Sequence, residues 1–132
     1  MAARKASKTA TSQLMASLKS FALDLPDAWA DNPWGDSVVK VGKKIFVFLG
    51  DNEEDSMITV KVPESHDHAM SFTGAVPTGY GLGKAGWVTI PVAGLSSGDA
   101  DVLRDFVEES YRTIAPKKLI NELDARTGTS TR

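Results

Sequence analysis

The chain has 132 residues, a length typical of one domain with its own hydrophobic core. It contains no cysteine, which excludes disulfide bonds, thiolate catalysis and cysteine-ligated zinc. Its formal net charge is -2, whereas proteins that bind nucleic acid in the manner of histones are strongly basic. It has no apolar run of the roughly 20 residues that a membrane-spanning helix needs, and no signal-peptide pattern. We therefore expect a soluble, cytoplasmic protein without a membrane partner.

The N-terminal part predicts a flexible basic tail and then an amphipathic helix. Residues 1–12 form the predicted tail, which carries Arg4, Lys5 and Lys8 and no acid. Pro26 ends the helix, because the residue before a proline is disfavoured in the α conformation. The apolar residues that recur at helical spacing are Leu14, Met15, Leu18, Phe21, Ala22 and Leu25.

Three strands are predicted after a turn-rich loop at residues 31–36. Residues 37–41 and 44–49 are rich in β-forming residues, and Gly42-Lys43 between them predicts a tight hairpin. The second run is apolar on both faces, which favours a central position in the sheet. An acidic turn at residues 51–55 precedes the third strand, at residues 57–62.

The second half predicts a short helix at residues 64–72, a strand at residues 87–91 and a long amphipathic helix from Asp99. Gly81 to Gly86 have the spacing G-x-G-x-x-G of a dinucleotide fingerprint. That fingerprint binds a pyrophosphate only where it leads into a helix, and here it leads into the strand at Trp87. The context therefore argues against a nucleotide site.

The order of these elements predicts an α+β fold. We expect an antiparallel sheet with the N- and C-terminal helices packed on one face. The domain is predicted to span residues 13–125, with a frayed C-terminus at residues 126–132.

Four separated motifs resemble those of the MmcQ/YjbR family. They are Pro33-Trp34-Gly35, Val41-Gly42-Lys43-Lys44-Ile45-Phe46, Tyr80-Gly81-Leu82-x-Lys84-x-Gly86-Trp87-Val88, and Ser110-Tyr111. The resemblance covers about residues 12 to 123. It implies a frataxin-like (CyaY-like) two-layer α/β sandwich without a cofactor. It also implies DNA binding. The family is described as DNA-binding because its sheet resembles a double-wing arrangement, so this expectation comes from the fold.

The candidate DNA-binding residues are lysines of the predicted strands and turns. Nucleic-acid binding needs cations for phosphates and aromatic rings for stacking, and Tyr80 or Trp87 supplies the ring. The competing interpretation is that these lysines only keep the sheet edges soluble. The predicted function is a non-enzymatic protein that binds DNA weakly and in a salt-dependent manner. The predicted phosphate contacts are Lys40, Lys43, Lys44, Lys61 and Lys84, with Arg4, Lys5 and Lys8 of the tail.

An alternative function is the binding of a protein or a small ligand. The predicted pocket is formed by Trp34, Tyr80 and Trp87 around the glycine loop. The competing interpretation is that the two tryptophans are core residues, which is the commoner role of this side chain.

Metal binding and catalysis are not predicted. His66 and His68 are two residues apart, so on a helix they point in different directions and do not share one ion. The acids of residues 51–55 lack the spacing of a calcium loop and are typical of a solvated hairpin tip. The chain has no G-x-S-x-G nucleophile motif, and neither histidine has the sequence context of a triad base.

Overall fold

The computed structural model describes residues 2–32, 37–50, 56–79, 82–93, 95 and 97–127. Within these residues the chain forms four helices, six strands and one 3-10 turn. In chain order they are α1 (Ala2–Leu23), β1 (Ala28–Asp31), β2 (Ser37–Val41), β3 (Lys44–Gly50), β4 (Met57–Lys61), α2 (His66–Met70), β5 (Val76–Pro77), the 3-10 turn (Leu82–Ala85), β6 (Trp87–Pro91), α3 (Ser97–Ile114) and α4 (Lys117–Thr127).

The predicted hairpin, third strand and C-terminal helix are confirmed, with small changes in their bounds. Gly42 has a φ of 62° in the β2–β3 turn, a backbone conformation that glycine adopts without strain. The short helix is α2, which is shorter than the predicted residues 64–72. Segment 2–12, predicted as a tail, is helical and continuous with the rest of α1. Strand β1 was not predicted.

The sheet is antiparallel throughout its described strands, in the order β1-β2-β3-β4-β6-β5. The predicted α+β class and antiparallel sheet are therefore confirmed. Strand β3 is central, as its apolar pattern predicts, and β1 and β5 lie at the two edges.

The inner face of the sheet carries the hydrophobic core. All four described helices contribute buried residues to this core, including Leu18 of α1, Ala69 of α2, Leu103 of α3 and Leu119 of α4. The sheet contributes alternate residues, as the pleat requires. These are Val39, Val41, Phe46, Val47, Leu49, Ile58, Val60, Val88 and Ile90.

The opposite face, called here the outer face, bears no helix from the described residues. Val38 and Trp87 are buried there but lie outside the core cluster. By strand alternation and register, the outer face comprises Trp29, Asp31, Val38, Lys40, Ile45, Phe48, Met57, Thr59, Lys61, Val76, Trp87 and Thr89. One sheet surface is thus packed on helices, and the other carries both buried residues, such as Val38 and Trp87, and exposed ones, such as Trp29 and Val76.

A β-bulge in β3 is closed by a side chain from α3. Val39 pairs with Val47 whereas the next residue, Lys40, pairs with Ile45, which leaves Phe46 without a partner on β2. The buried hydroxyl of Ser110 donates to the Phe46 carbonyl at 2.5 Å and accepts from the Lys61 N–H at 2.9 Å. One hydroxyl therefore satisfies two backbone groups at the bulge.

Tyr111 attaches α3 to the segment that leads into β1. Its buried hydroxyl donates to the Pro26 carbonyl at 2.7 Å, and its ring meets the Phe46 ring edge-on at 5.2 Å between centroids. Burial raises the pKa of Tyr111 to about 12, and the carboxylates of Asp27 and Glu122 act in the same direction. The start of β1, and with it Trp29, is therefore fixed to the helical layer.

Candidate nucleic-acid interface

A cluster of polar and aromatic residues lies at the edge of the sheet, where β1 meets the β2–β3 turn. We call it the Trp29 corner, and it consists of Trp29, Lys40, Gly42, Lys43 and Lys44. Trp29 pairs with Lys40 across the two strands. Its indole Nε1–H donates to the Gly42 carbonyl at 2.9 Å, which ties the ring to the turn that carries Lys43 and Lys44.

The indole ring of Trp29 is exposed and yet held in place. Trp29 retains 44% of its surface exposed, although tryptophan is usually a largely buried residue. The Lys40 Nζ lies 5.1 Å from the ring centroid, within the range of a cation–π contact. The ring thus has one edge bonded to Gly42 and one face covered by Lys40, and a large part of its surface is free.

Lys40 is neutralised by a neighbour on β1. Its Nζ lies 2.8 Å from Asp31 Oδ2, and only 19% of its side chain is exposed. The hydrogen bond from Lys40 holds the pKa of Asp31 below its ordinary value, with a further contribution from the Asn32 N–H. Lys40 therefore orients Trp29 and is a poor contact for a phosphate.

The other predicted lysines have no such partner among the described residues. Within that part of the chain, no carboxylate lies within 4.0 Å of the amino groups of Lys43, Lys44, Lys61 or Lys84. Lys43 and Lys44 are exposed at the hairpin turn, and Lys84 is exposed on the 3-10 turn. Lys61 lies on the outer face opposite Trp87. The five lysines therefore do not form one row: Lys40 and Lys61 share the outer face, Lys43 and Lys84 lie on turns, and Lys44 pairs with Val41 of the core face.

The predicted pocket around Trp87 finds less support. Trp87 is only 8% exposed, and its ring packs edge-on against Phe48 at 5.7 Å between centroids. This agrees with the interpretation of Trp87 as a packed residue. Trp34 and Tyr80, the two other predicted pocket residues, lie outside the described part of the chain.

Hydroxyl groups continue the outer face beyond Trp87. Thr89 Oγ1 lies 2.9 Å from Thr59 Oγ1 and 3.1 Å from Thr78 Oγ1. This row of hydroxyls is partly buried, and it gives the surface next to Lys61 neutral hydrogen-bonding groups without adding an acid.

An open cleft of about 550 Å³ lies on the helical side, between α3 and the loop after β4. Two of its four acids, Glu108 and Glu109, are bonded within the protein. Glu109 Oε2 accepts from the N–H groups of Glu64 and Ser65 at 2.9 and 3.1 Å. Arg112 donates to Asp124 at 2.8 Å and to Glu108 at 2.9 Å, and both contacts raise the pKa of the guanidinium. The cleft is acidic, in contrast to the lysine-bearing outer face.

The histidines considered above as metal ligands belong to no metal-binding group among the described residues. The ring of His68 packs against Phe106 and Phe72 at 5.3 and 5.9 Å between centroids. Among the residues that the structure describes, no group of three or more histidines and acids could hold a metal ion. The acids of residues 51–55 fall outside the described ranges. No described helix is long and apolar enough to cross a membrane.

The comparison with family models identifies the chain. The YjbR model matches residues 23–113, which is more than half of the sequence. The protein belongs to the YjbR family. No curated protein matches it.

The structure shows what the family motifs do in this YjbR protein. Gly42 makes the hairpin turn, and Ser110-Tyr111 hold the bulge and the approach to β1. Gly86, with a φ of 99°, starts β6, and a Cβ on it would lie 3.3 Å from Pro63. The described part of the glycine motif is thus a 3-10 turn that enters a strand, as the sequence context predicts.

Sequence reasoning missed Trp29, the most exposed aromatic residue of the described outer face. Residues 28–31 are too short and too mixed in polarity to predict a strand. The available clue was an isolated tryptophan between two turn-forming segments, three residues after Pro26.

Proposed function

We propose that this YjbR protein is a non-enzymatic DNA-binding protein whose sheet, in a frataxin-like arrangement, binds the sugar–phosphate backbone weakly. The frataxin-like arrangement is supported by the element order and by the packing of all four described helices on one face of an antiparallel sheet. DNA binding is supported by the Trp29 corner, which combines a fixed, exposed aromatic ring with two exposed turn lysines, Lys43 and Lys44, that lack a described acidic partner.

The distribution of charge favours one orientation for DNA. Helix α3 carries five acids and two arginines, so its formal charge is -3. The described strands carry three lysines and one aspartate, so their formal charge is +2. A polyanion is attracted to the sheet and repelled by α3, whereas α1 carries four cations and no acid.

The number of available lysines sets the expected affinity for DNA and its dependence on salt. With Lys40 paired to Asp31, four of the five candidate lysines of the strands and turns remain, which are Lys43, Lys44, Lys61 and Lys84. Each contact contributes about -0.9 to the slope of log K against log salt on duplex DNA, so we expect a slope of about -3 to -4. Binding should therefore be measurable at about 50 mM salt and nearly lost at physiological salt.

The test is a salt titration with fluorescence anisotropy of labelled duplex DNA. The double variant Lys43→Ala/Lys44→Ala should weaken binding and make the slope shallower by nearly 2. The charge-matched control is Lys117→Ala/Lys118→Ala, which removes two exposed lysines from α4 on the helical side. This control should leave the slope unchanged. If the wild type does not bind at 50 mM salt, or if both variants lose affinity equally, the proposal is wrong.

A further inference from the structure

The Trp29 ring offers more than a phosphate site requires. Phosphate contacts need only cations, whereas here an indole is positioned by three independent constraints: strand pairing, the bond to Gly42 and the contact with Lys40. A tryptophan on an edge strand exposes apolar surface to water, and the bond to Gly42 limits its reorientation. The ring is therefore preorganised for stacking on a flat ligand, which lowers the entropy cost of binding.

The free surface of the ring lies away from Lys40. Lys40 covers one face and Gly42 binds the Nε1 edge, so neither contact covers the opposite face, and 44% of Trp29 is exposed. Lys43 follows Gly42 directly in the exposed turn to which the indole is bonded, whereas Lys44 pairs with Val41 of the core face. A flat ring bound on the open face of Trp29 would thus be held next to a turn that supplies a cation for its attached phosphate.

We propose that the Trp29 corner binds an unpaired nucleotide of single-stranded DNA, with its base stacked on Trp29 and its phosphate at the exposed turn residue Lys43. This inference rests on the proposed DNA-binding function and specifies the form of DNA. In a duplex the base faces are stacked on one another and only their edges are accessible in the grooves. An unpaired base presents its face to the indole without the cost of unstacking a base step.

The expected effect follows from base–aromatic stacking. Such stacking contributes about 1–3 kcal/mol per base, which corresponds to roughly five- to 150-fold in affinity. The wild type should therefore bind a single strand of about 12 nucleotides at least fivefold more tightly than a duplex of the same length. The stacking is tolerant of sequence, so the preference should hold for different base compositions.

The experiment compares both forms of DNA in the wild type, Trp29→Leu, Trp29→Phe and Lys43→Ala/Lys44→Ala by anisotropy at one low salt concentration. Trp29→Leu should lose the single-strand preference and keep duplex affinity. Trp29→Phe should retain much of the preference, because phenylalanine also stacks. The lysine variant should weaken both forms. If Trp29→Leu keeps the full preference, or if the wild type binds both forms equally, the inference is overturned while the proposed function stands. If neither form binds, the proposed function fails as well.

A measurement on the wild type protects the test against a folding defect in the variants. The indole N–H of Trp29 gives its own proton–nitrogen NMR signal, which Trp29→Phe identifies by its loss. Adding the unlabelled single strand should shift or broaden this signal strongly, and adding the duplex should change it little. A Trp29 signal that does not move while the lysine signals do would refute stacking at this ring.

Discussion

Removing the hydroxyl of Ser110 should destabilise the protein strongly without changing the proposed DNA-binding surface. The hydroxyl serves two backbone groups at the β3 bulge, the Phe46 carbonyl and the Lys61 N–H, at 2.5 and 2.9 Å. Ser110 is fully buried, so water does not replace it readily in Ser110→Ala. Each unsatisfied buried group costs about 1–3 kcal/mol, and we expect a loss of about 2–4 kcal/mol in the free energy of unfolding.

The effect should be read from urea unfolding and from the melting temperature. A loss of about 3 kcal/mol corresponds to a drop on the order of 10 °C for a domain of this size. The matched control is Thr113→Ala on the same helix. Thr113 also donates a hydroxyl to a backbone carbonyl, that of Glu109 at 2.8 Å, but it is exposed. This control should change stability by less than about 0.5 kcal/mol.

Hydrogen exchange locates the same effect in the sheet. In Ser110→Ala the Lys61 amide should exchange faster than it does in the wild type at equal global stability, because its acceptor is gone. If Ser110→Ala unfolds within about 0.5 kcal/mol of the wild type, the hydroxyl does not hold the bulge and our account of this motif is wrong.

Two further changes test other parts of the scaffold. Tyr111→Phe should cost about 1–2 kcal/mol at neutral pH, because the Pro26 carbonyl loses its donor. The pKa of Tyr111 is raised from 10.0 to about 12 on folding, so wild-type stability should be constant below pH 10 and fall between pH 10 and 12. Tyr111→Phe should lack this fall in pH-dependent unfolding, and an equal fall in both proteins would contradict the assignment. Gly86→Ala should lower the free energy of unfolding by about 1–3 kcal/mol, because Gly86 has a φ of 99° and lies close to Pro63. The control Gly79→Ala has open space around it and should leave the melting temperature nearly unchanged. Equal melting temperatures for the two variants would argue against strain at Gly86.

The sequence predicted the elements whose pattern is local. The β2–β3 hairpin followed from two β-rich runs around Gly42, and the central position of β3 followed from its apolar residues on both faces. Strand β1 was missed because its four residues have little intrinsic pattern, and its pairing with β2 stabilises it. The bulge at Phe46 was also beyond prediction, since its partner Ser110 is 64 residues away in sequence.

The sequence predicted the lysines of the candidate site but not the contacts of Trp29 and Lys40. Lysines can be counted in a sequence, and Lys43 and Lys44 beside a turn glycine were expected to be exposed. The bond from the Trp29 indole to Gly42 and the pair between Asp31 and Lys40 join residues 13 and nine positions apart, across a strand that local pattern did not predict. The pairing of β1 with β2 therefore changes the proposed roles of two residues. Lys40 orients Trp29, and Trp29 replaces Trp87 as the proposed aromatic contact.

The described family motifs and the proposed stacking contact belong to different parts of the chain. Gly42, Gly86, Ser110 and Tyr111 form turns and bonds that hold the sheet and its helices together, within the residues that the family model matches. Trp29 lies outside the four motifs, although it is bonded to the turn that one of them makes. The scaffold thus presents the lysines of the turn in a fixed position, and the residue at position 29 decides whether a base can stack beside them. A relative with the same turn and no aromatic ring at this position should keep salt-dependent phosphate binding and show no preference for single strands.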